Sequence, residues 1–264
     1  MTERDEHGGT GLPASFEAAW GLRGRPGKGP RPGLSLERIV AAAVDIAAAE
    51  GITAVSMGRV AKELGSSPMS LYRYVASKDE LLMLMVDAAT GPAPAPAAPG
   101  THWRPALARW ARDHRAVLLA HPWMLRVPIG GPPVTPNVLS WMERGLASLH
   151  GAALPPGDRL SVLLLVTGFV RNEATLTTDL REHVRDGTTG LPGDDLRGYG
   201  ALLRRLIDAR SHPHLHDVVE AGVFEDDDNP DYDFEFGLER LLDGVESLIR
   251  GRQDPPAAPQ APSA

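Results

Sequence analysis

The stretch ELGSSPMSLYRYVASKDELL, residues 63–82, leaves the chain few options. A glycine, two serines and a proline stand between two apolar patterns of helical spacing. Gly65 ends one helix, because glycine enters the left-handed conformation without a steric cost. Ser67 caps the next, with Pro68 at its first position, where the missing N–H does no harm. Two short helices must therefore turn sharply on each other within a few residues, which is the pattern of a helix-turn-helix.

The flanking sequence supports that reading. Ser35 caps a longer helix from Leu36 to Glu50, whose Leu36, Ile39, Val40, Ala43, Val44, Ile46 and Ala47 follow helical spacing up to Gly51. Ser56 caps a short helix to Leu64. Ser77 caps a fourth, with Asp79 and Glu80 in its first turn, where acids suit the helix dipole. Leu71 and Val75, spaced i,i+4, face a small core with Leu64. Ser67, Met69, Ser70, Tyr72, Arg73 and Tyr74 are left for a surface, although only 5% of the chain is aromatic.

In a helix-turn-helix the second helix enters the major groove of DNA, leading with its N-terminus. Small residues there permit close approach, and free N–H groups favour a phosphate. Tyrosine hydroxyls reach phosphate oxygens, and Arg73 reads guanine or pairs with phosphate. Ser56, Arg59, Pro68 and Lys78 complete the expected DNA-binding set. One of the two tyrosines can instead cover the core.

Charge separates this module from the rest. The net charge is −7, yet residues 23–78 hold nine Lys or Arg against four Asp or Glu. That is an excess of five positive charges, which leaves −12 elsewhere. One basic module on an acidic body implies an anionic partner for the module alone. Within it, LRGRPGKGPRPG places Arg23, Arg25, Lys28 and Arg31 on a Gly/Pro frame. RGRP is similar to segments that enter the minor groove of A·T-rich DNA, where the potential is enhanced. A solvated basic tail is the alternative.

The expected fold class is all-α, with no alternating strand pattern and no repeat. Residues 1–33 read as a flexible basic extension and 34–90 as a DNA-binding domain. GPAPAPAAPG marks a linker over 91–101. Residues 102–252 read as a larger helical domain for ligand binding and dimerisation, with helices near 103–120, 137–149, 156–186, 195–210 and 232–251. Residues 253–264 read as a disordered tail.

Four of the five tryptophans follow the linker: Trp103, Trp110, Trp123 and Trp141. That density suits a pocket for a large, partly planar ligand, although each one alone is more often core packing. His114, Arg126, Arg144, Phe169, Asn172 and Glu173 are the accompanying candidates. Asn172 and Glu173 follow the apolar run SVLLLVTGFV, so they are placed at the inner end of a cavity or in a dimer contact.

SLERIVAAAVDIAAAEGITAVSMGRVAKELGSSPMSLYRYVASKDELLMLMVD resembles the DNA-binding domain of the TetR family of transcriptional regulators, without a gap over 35–87. DYDFEFGLERLLDGVESLI, 231–249, is similar to the last helix of the subfamily whose ligand domain is like that of the tetracycline repressor. RNEATLTTDL lies where that subfamily has its long core helix. The resemblance implies a homodimer on a palindromic operator, a four-helix dimer interface from 156–186 and 232–251, and release by a small-molecule inducer. It also exposes a departure: the tetracycline repressor has a base-reading arginine where Gly58 aligns here.

No thiol chemistry is available, since the chain lacks cysteine. G-x-S-x-G and Walker A patterns are also missing, so no enzyme activity is expected. HPHLHD, 212–217, lacks a recognised zinc spacing, and EDDDNPDYD, 225–233, lacks the EF-hand glycine and glutamate. Neither a metal nor a cofactor is expected. A cytoplasmic protein is expected, because no apolar run reaches the ~20 residues a membrane helix needs. The competing reading is a ligand-sequestering or partner-binding helical protein that has no operator.

Overall fold

A computed structural model describes residues 10–22, 34–186, 196–225, 229 and 231–253. Among them there are eleven α-helices and no strand. In order these are α1 (Ala14–Ala19), α2 (Leu36–Glu50), α3 (Met57–Glu63), α4 (Pro68–Leu71), α5 (Lys78–Thr90), α6 (Trp103–Ala120), α7 (Pro136–Ser148), α8 (Pro156–Asp186), α9 (Leu196–Leu206), α10 (Pro213–Glu220) and α11 (Tyr232–Gln253). Short 3₁₀ turns follow α2 at Ile52–Ala54 and α6 at Pro122–Arg126.

The four serines expected as N-caps all act as such. Ser35, Ser56, Ser67 and Ser77 accept the amides of Arg38, Arg59, Ser70 and Glu80, at 3.1 to 3.3 Å. Gly65 has φ +60°, which ends α3 and aims the chain into α4. Ile39, Ala43, Val60, Leu71, Val75, Leu81 and Met85 close a small core among α2 to α5. Tight packing of α6 and α7 depends on Gly145, where a β-carbon would meet Leu163 and stand 3.0 Å from the Trp110 ring.

The chain forms two compact units, Met1–Leu163 and Leu164–Ala264. Their boundary falls inside α8 rather than at the Pro-rich stretch 91–101. The reason is specific bonding across that stretch. Buried Asp87, near the end of α5, accepts the amides of Asn137 and Val138 at 2.8 and 3.0 Å. These are orphan N–H groups of α7, whose own N-cap residue Thr135 supplies no side-chain bond. The Asn137 side chain donates to Asp87 as well, and the Trp141 indole donates to the Gly91 carbonyl at 3.2 Å. The helices expected to separate into a DNA-binding domain and a ligand domain therefore share one packed unit up to Leu163.

The extension also departs from expectation. Residues 14–19 are helical, with Phe16 and Ser15 buried. A 1–33 segment rich in glycine and charge hides this helix, because the short pattern of Phe16 and Trp20 is diluted. Arg23, Arg25, Lys28 and Arg31 lie outside the described residues, as do residues 254–264.

In the second unit, α8 buries Val166, Val170, Ala174 and Thr178 at i,i+4 spacing, and α11 buries Phe234, Leu238, Leu242, Val245 and Ile249. Phe169 stacks on Phe234 with centroids 5.8 Å apart.

Asp87→Ala should lower stability by about 1–3 kcal/mol, since it leaves part-buried amides of α7 without an acceptor. Urea denaturation checks this. Asp87→Asn, which keeps one oxygen, should recover part of the loss.

Candidate nucleic-acid interface and ligand residues

The recognition surface is built by the turn that Gly65 permits and by the burial of Leu71 and Val75. Burying those two turns the intervening residues outward. Met69 is 75% exposed and Tyr72 48% exposed. Arg73 and Lys78 are exposed as well, and neither forms an ion pair among the described residues. Gly58, on α3, has nothing within 4 Å of a would-be β-carbon, so its surface is open.

Other expected DNA-binding residues are already engaged within the protein. The Tyr74 hydroxyl donates to the Leu34 carbonyl at 3.0 Å and is partly buried. Tyr74 is thus the tyrosine that covers the core, fastening the start of α2 to the segment after α4. Arg59 donates to Glu63 at 2.6 Å and to Glu50 at 2.7 Å. Those two bonds raise its pKa further. The Glu50 bond ties α3 to the end of α2, and a phosphate would have to compete with two carboxylates.

The recognition helix is also shorter than expected. Only four residues are α-helical, and the Ser70 amide is capped by Ser67, whose hydroxyl also pairs with that of Ser70 at 2.9 Å. Little dipole and few free amides remain at this terminus. The side chains exposed there are those of Met69, Tyr72 and Arg73, with Lys78 at the start of α5. Ser56, Ser67 and Pro68 are exposed beside them.

The ligand candidates divide. Trp103, Trp110, Trp123 and Trp141 are all buried. Trp110, His114 and Trp141 form one aromatic cluster, with centroids 5.2 to 6.4 Å apart. The Trp110 indole donates to the Trp141 carbonyl at 3.0 Å, so both of these N–H groups serve the backbone. Trp123 differs: its indole nitrogen is buried and has no acceptor among the described residues.

A cavity of about 350 Å³ opens between residues 94–101, α6 and α7. Trp110 and Arg144 line it, together with Arg109, Asp113 and His150. The Arg144 Nε is buried there without an acceptor among the described residues. Arg126 is exposed.

In the second unit, Phe169 packs on Phe234. Glu173 accepts the Thr177 hydroxyl at 2.7 Å. Asn172 is exposed, on the face of α8 that carries Leu165 and Leu176. It does not stand at the inner end of a cavity, because the buried stripe of α8 lies on the opposite side. His214 and His216 fall within α10, and His212 precedes it.

A helix-turn-helix with an exposed Met-Tyr-Arg surface, joined to a helical body, defines a DNA-binding transcriptional regulator. Residues 39–84 match the family model described as bacterial regulatory proteins, tetR family, and residues 95–249 match the tetracyclin repressor-like C-terminal domain. The chain belongs to the TetR family of transcriptional regulators. It is 38% identical over 252 residues to the HTH-type transcriptional repressor DrrR1 of Streptomyces coeruleorubidus, covering 94% of this chain and 91% of that protein. Among solved structures it is similar to apo ActR of Streptomyces coelicolor, with 29% identity, a TM-score of 0.68, and coverage of 84% of this chain and 100% of that one. ActR in complex with actinorhodin gives 32% identity, a TM-score of 0.67, and coverage of 82% and 98%.

Tyr72→Ala and Arg73→Ala should each weaken operator binding by about 1–3 kcal/mol if they contact bases, with helicity unchanged by circular dichroism. Wild-type affinity in both variants would overturn the assignment. Tyr74→Phe should instead cost about 1 kcal/mol of stability through the missing bond to Leu34, which thermal unfolding reads.

Proposed function

We propose that the chain is a homodimeric repressor, released from a palindromic operator by a small molecule. The observation that carries this reading is the exposed Met69, Tyr72 and Arg73 surface, set by a capped helix-turn-helix on a TetR-family body. The name of DrrR1 as a repressor supports the direction of control. The function is regulatory rather than enzymatic. No helix among the described residues is long and apolar enough to cross a membrane, and a DNA-binding role puts the protein in the cytoplasm.

The dimer reading draws on an unpartnered face. Leu164, Leu165, Leu176 and Leu180 of α8 are each more than half exposed, and Phe236 of α11 is 54% exposed. Leu165, Leu176 and Leu180 share a face, and half-exposed leucines forgo roughly half of the ~1.5–3 kcal/mol that full burial of such a side chain is worth. A second copy applying the same face would recover it by two-fold symmetry. Leu165→Lys with Leu176→Lys should shift the chain toward monomer in sedimentation equilibrium and sharply weaken operator binding, while the helix-turn-helix stays folded. A dimer that persists would point to another interface.

The inducer reading rests on the buried tryptophans and on the compound held by ActR. An aromatic or polycyclic ligand suits Trp110, which lines the cavity beside α6 and α7, and the Arg144 Nε there is the polar handle without an acceptor among the described residues. A ligand shifts the population only by binding one conformer better than the other. Actinorhodin should quench tryptophan fluorescence and release the operator in a gel shift. Arg144→Met should weaken that response roughly three- to tenfold, the worth of one hydrogen bond. Operator binding that no aromatic compound of a broad panel relieves would count against ligand control. No duplex bound with sequence preference would favour the sequestering alternative.

We also propose that Arg23, Arg25, Lys28 and Arg31 add phosphate or A·T minor-groove contacts, on the strength of their RGRP sequence alone.

A further inference from the structure

Helix α1 has only six residues, too few to persist by itself, so its surroundings must hold it. Gly21 at φ +68° ends it, with the Leu22 amide returned to the Glu17 carbonyl at 2.9 Å. Thr10 closes the other end through two bonds to Glu17. Phe16 is 3% exposed and Ser15 2% exposed. The Ser15 hydroxyl donates to buried Glu80, in the first turn of α5, and Glu80 also accepts the Ala76 amide. At the far end, the Trp20 indole donates to the Val134 carbonyl at 2.8 Å. Val134 lies two residues before α7.

The two fastenings matter because of where α5 is already attached. Asp87 joins the C-terminal half of α5 to the first amides of α7. The Trp141 bond to Gly91 lies only about one turn further on, so these attachments hold α5 at its C-terminal end alone and leave a pivot there. Glu80 is seven residues from Asp87, about 10 Å along the helix, and α1 runs from there to the same α7-leading segment. Two points that far apart resist rotation of α5. That helix packs on α2 and begins shortly after the recognition segment. A turn of α5 would therefore carry the recognition surface with it.

We propose that α1 is a strap that fixes α5 relative to the start of α7, with Ser15 and Trp20 as positioning residues for operator binding. Without it the chain spreads over several settings of the recognition surface, of which a fraction fit the operator. Apparent affinity falls by that fraction. Trp20 is 40% exposed, so this fastening is the releasable one.

The test compares full-length protein, Trp20→Phe and a deletion of residues 1–22 on a duplex selected from a random pool by the wild-type chain. Trp20→Phe keeps a ring and removes only the donor. The deletion leaves Arg23, Arg25, Lys28 and Arg31 in place. Operator affinity should fall roughly three- to tenfold in Trp20→Phe and at least as far in the deletion. The slope of log affinity against log salt should stay unchanged, and amide exchange should quicken in the first turn of α7. Replacing the four basic residues by serine is the contrast: each phosphate left without its cation makes that slope shallower by about 0.9.

A lower melting temperature with unchanged affinity in Trp20→Phe would reduce α1 to packing. A shallower salt slope after the deletion would make it an electrostatic contact, and a rise in affinity would reverse its sense. Any of the three overturns the proposal. The inference rests on operator binding, which is judged separately: a pool that yields no preferred duplex overturns that reading and the strap with it, whereas the variants are scored against the wild type.

Discussion

The carboxylate of Asp87 is the constraint on which the first unit depends. It is buried in α5, and a buried carboxylate without donors would be costly. Its donors are the part-buried first-turn amides of another helix, and α7 has no cap of its own. Each side thus cancels a deficit of the other. The pairing reaches over some fifty residues and decides that α6 and α7 pack with the helix-turn-helix. Trp141 adds a bond to the end of α5, and Gly145 lets α7 come close to Trp110 of α6 and Leu163 of α8.

That constraint explains why the recognition element can be so short. Four α-helical residues supply almost no dipole and cannot hold an orientation by themselves. Orientation comes instead from Leu71 and Val75 in the core and from Tyr74 bonded to Leu34. Side chains then carry the contacts. Arg59 performs the matching task on the other side of the turn. A surface ion pair is usually worth little, but here the Glu50 bond joins α3 to α2 while Glu63, on α3 itself, holds the guanidinium in place.

Much of the module was legible because its signals are local. Four serines, each three residues before its amide partner, marked the starts of α2 to α5, and Gly51 and Gly65 the ends of α2 and α3, nearly to the residue, whereas the end of α4 was not marked. The long helices α6, α8 and α11 were legible from periodicity. The failures are all long-range. Asp87 reads as an ordinary helix acid until Asn137 is beside it. Arg59 reads as a free cation until Glu50 is in place. Tyr72 and Tyr74 are indistinguishable in sequence, and the Leu34 carbonyl separates them. Asn172 followed an apolar run that suggested burial, yet the run wraps the whole helix and its polar member fell on the face with Leu165 and Leu176. Phe16 and Trp20, spaced i,i+4 before Gly21, were a weak readable sign of α1.

The charge pattern completes the argument. The interactions that fix the fold use up Arg59, while Lys62, Arg73 and Lys78 stay exposed on the module. The rest of the chain carries −12, which repels DNA at separations up to about a Debye length, roughly 8–10 Å in physiological salt. Attraction by the module and repulsion by the body act on the same encounter. They disfavour approaches that present the acidic surface and favour those that present the basic module. A net negative regulator is therefore consistent with DNA binding, and the excess of acid restricts which face can bind rather than whether binding occurs.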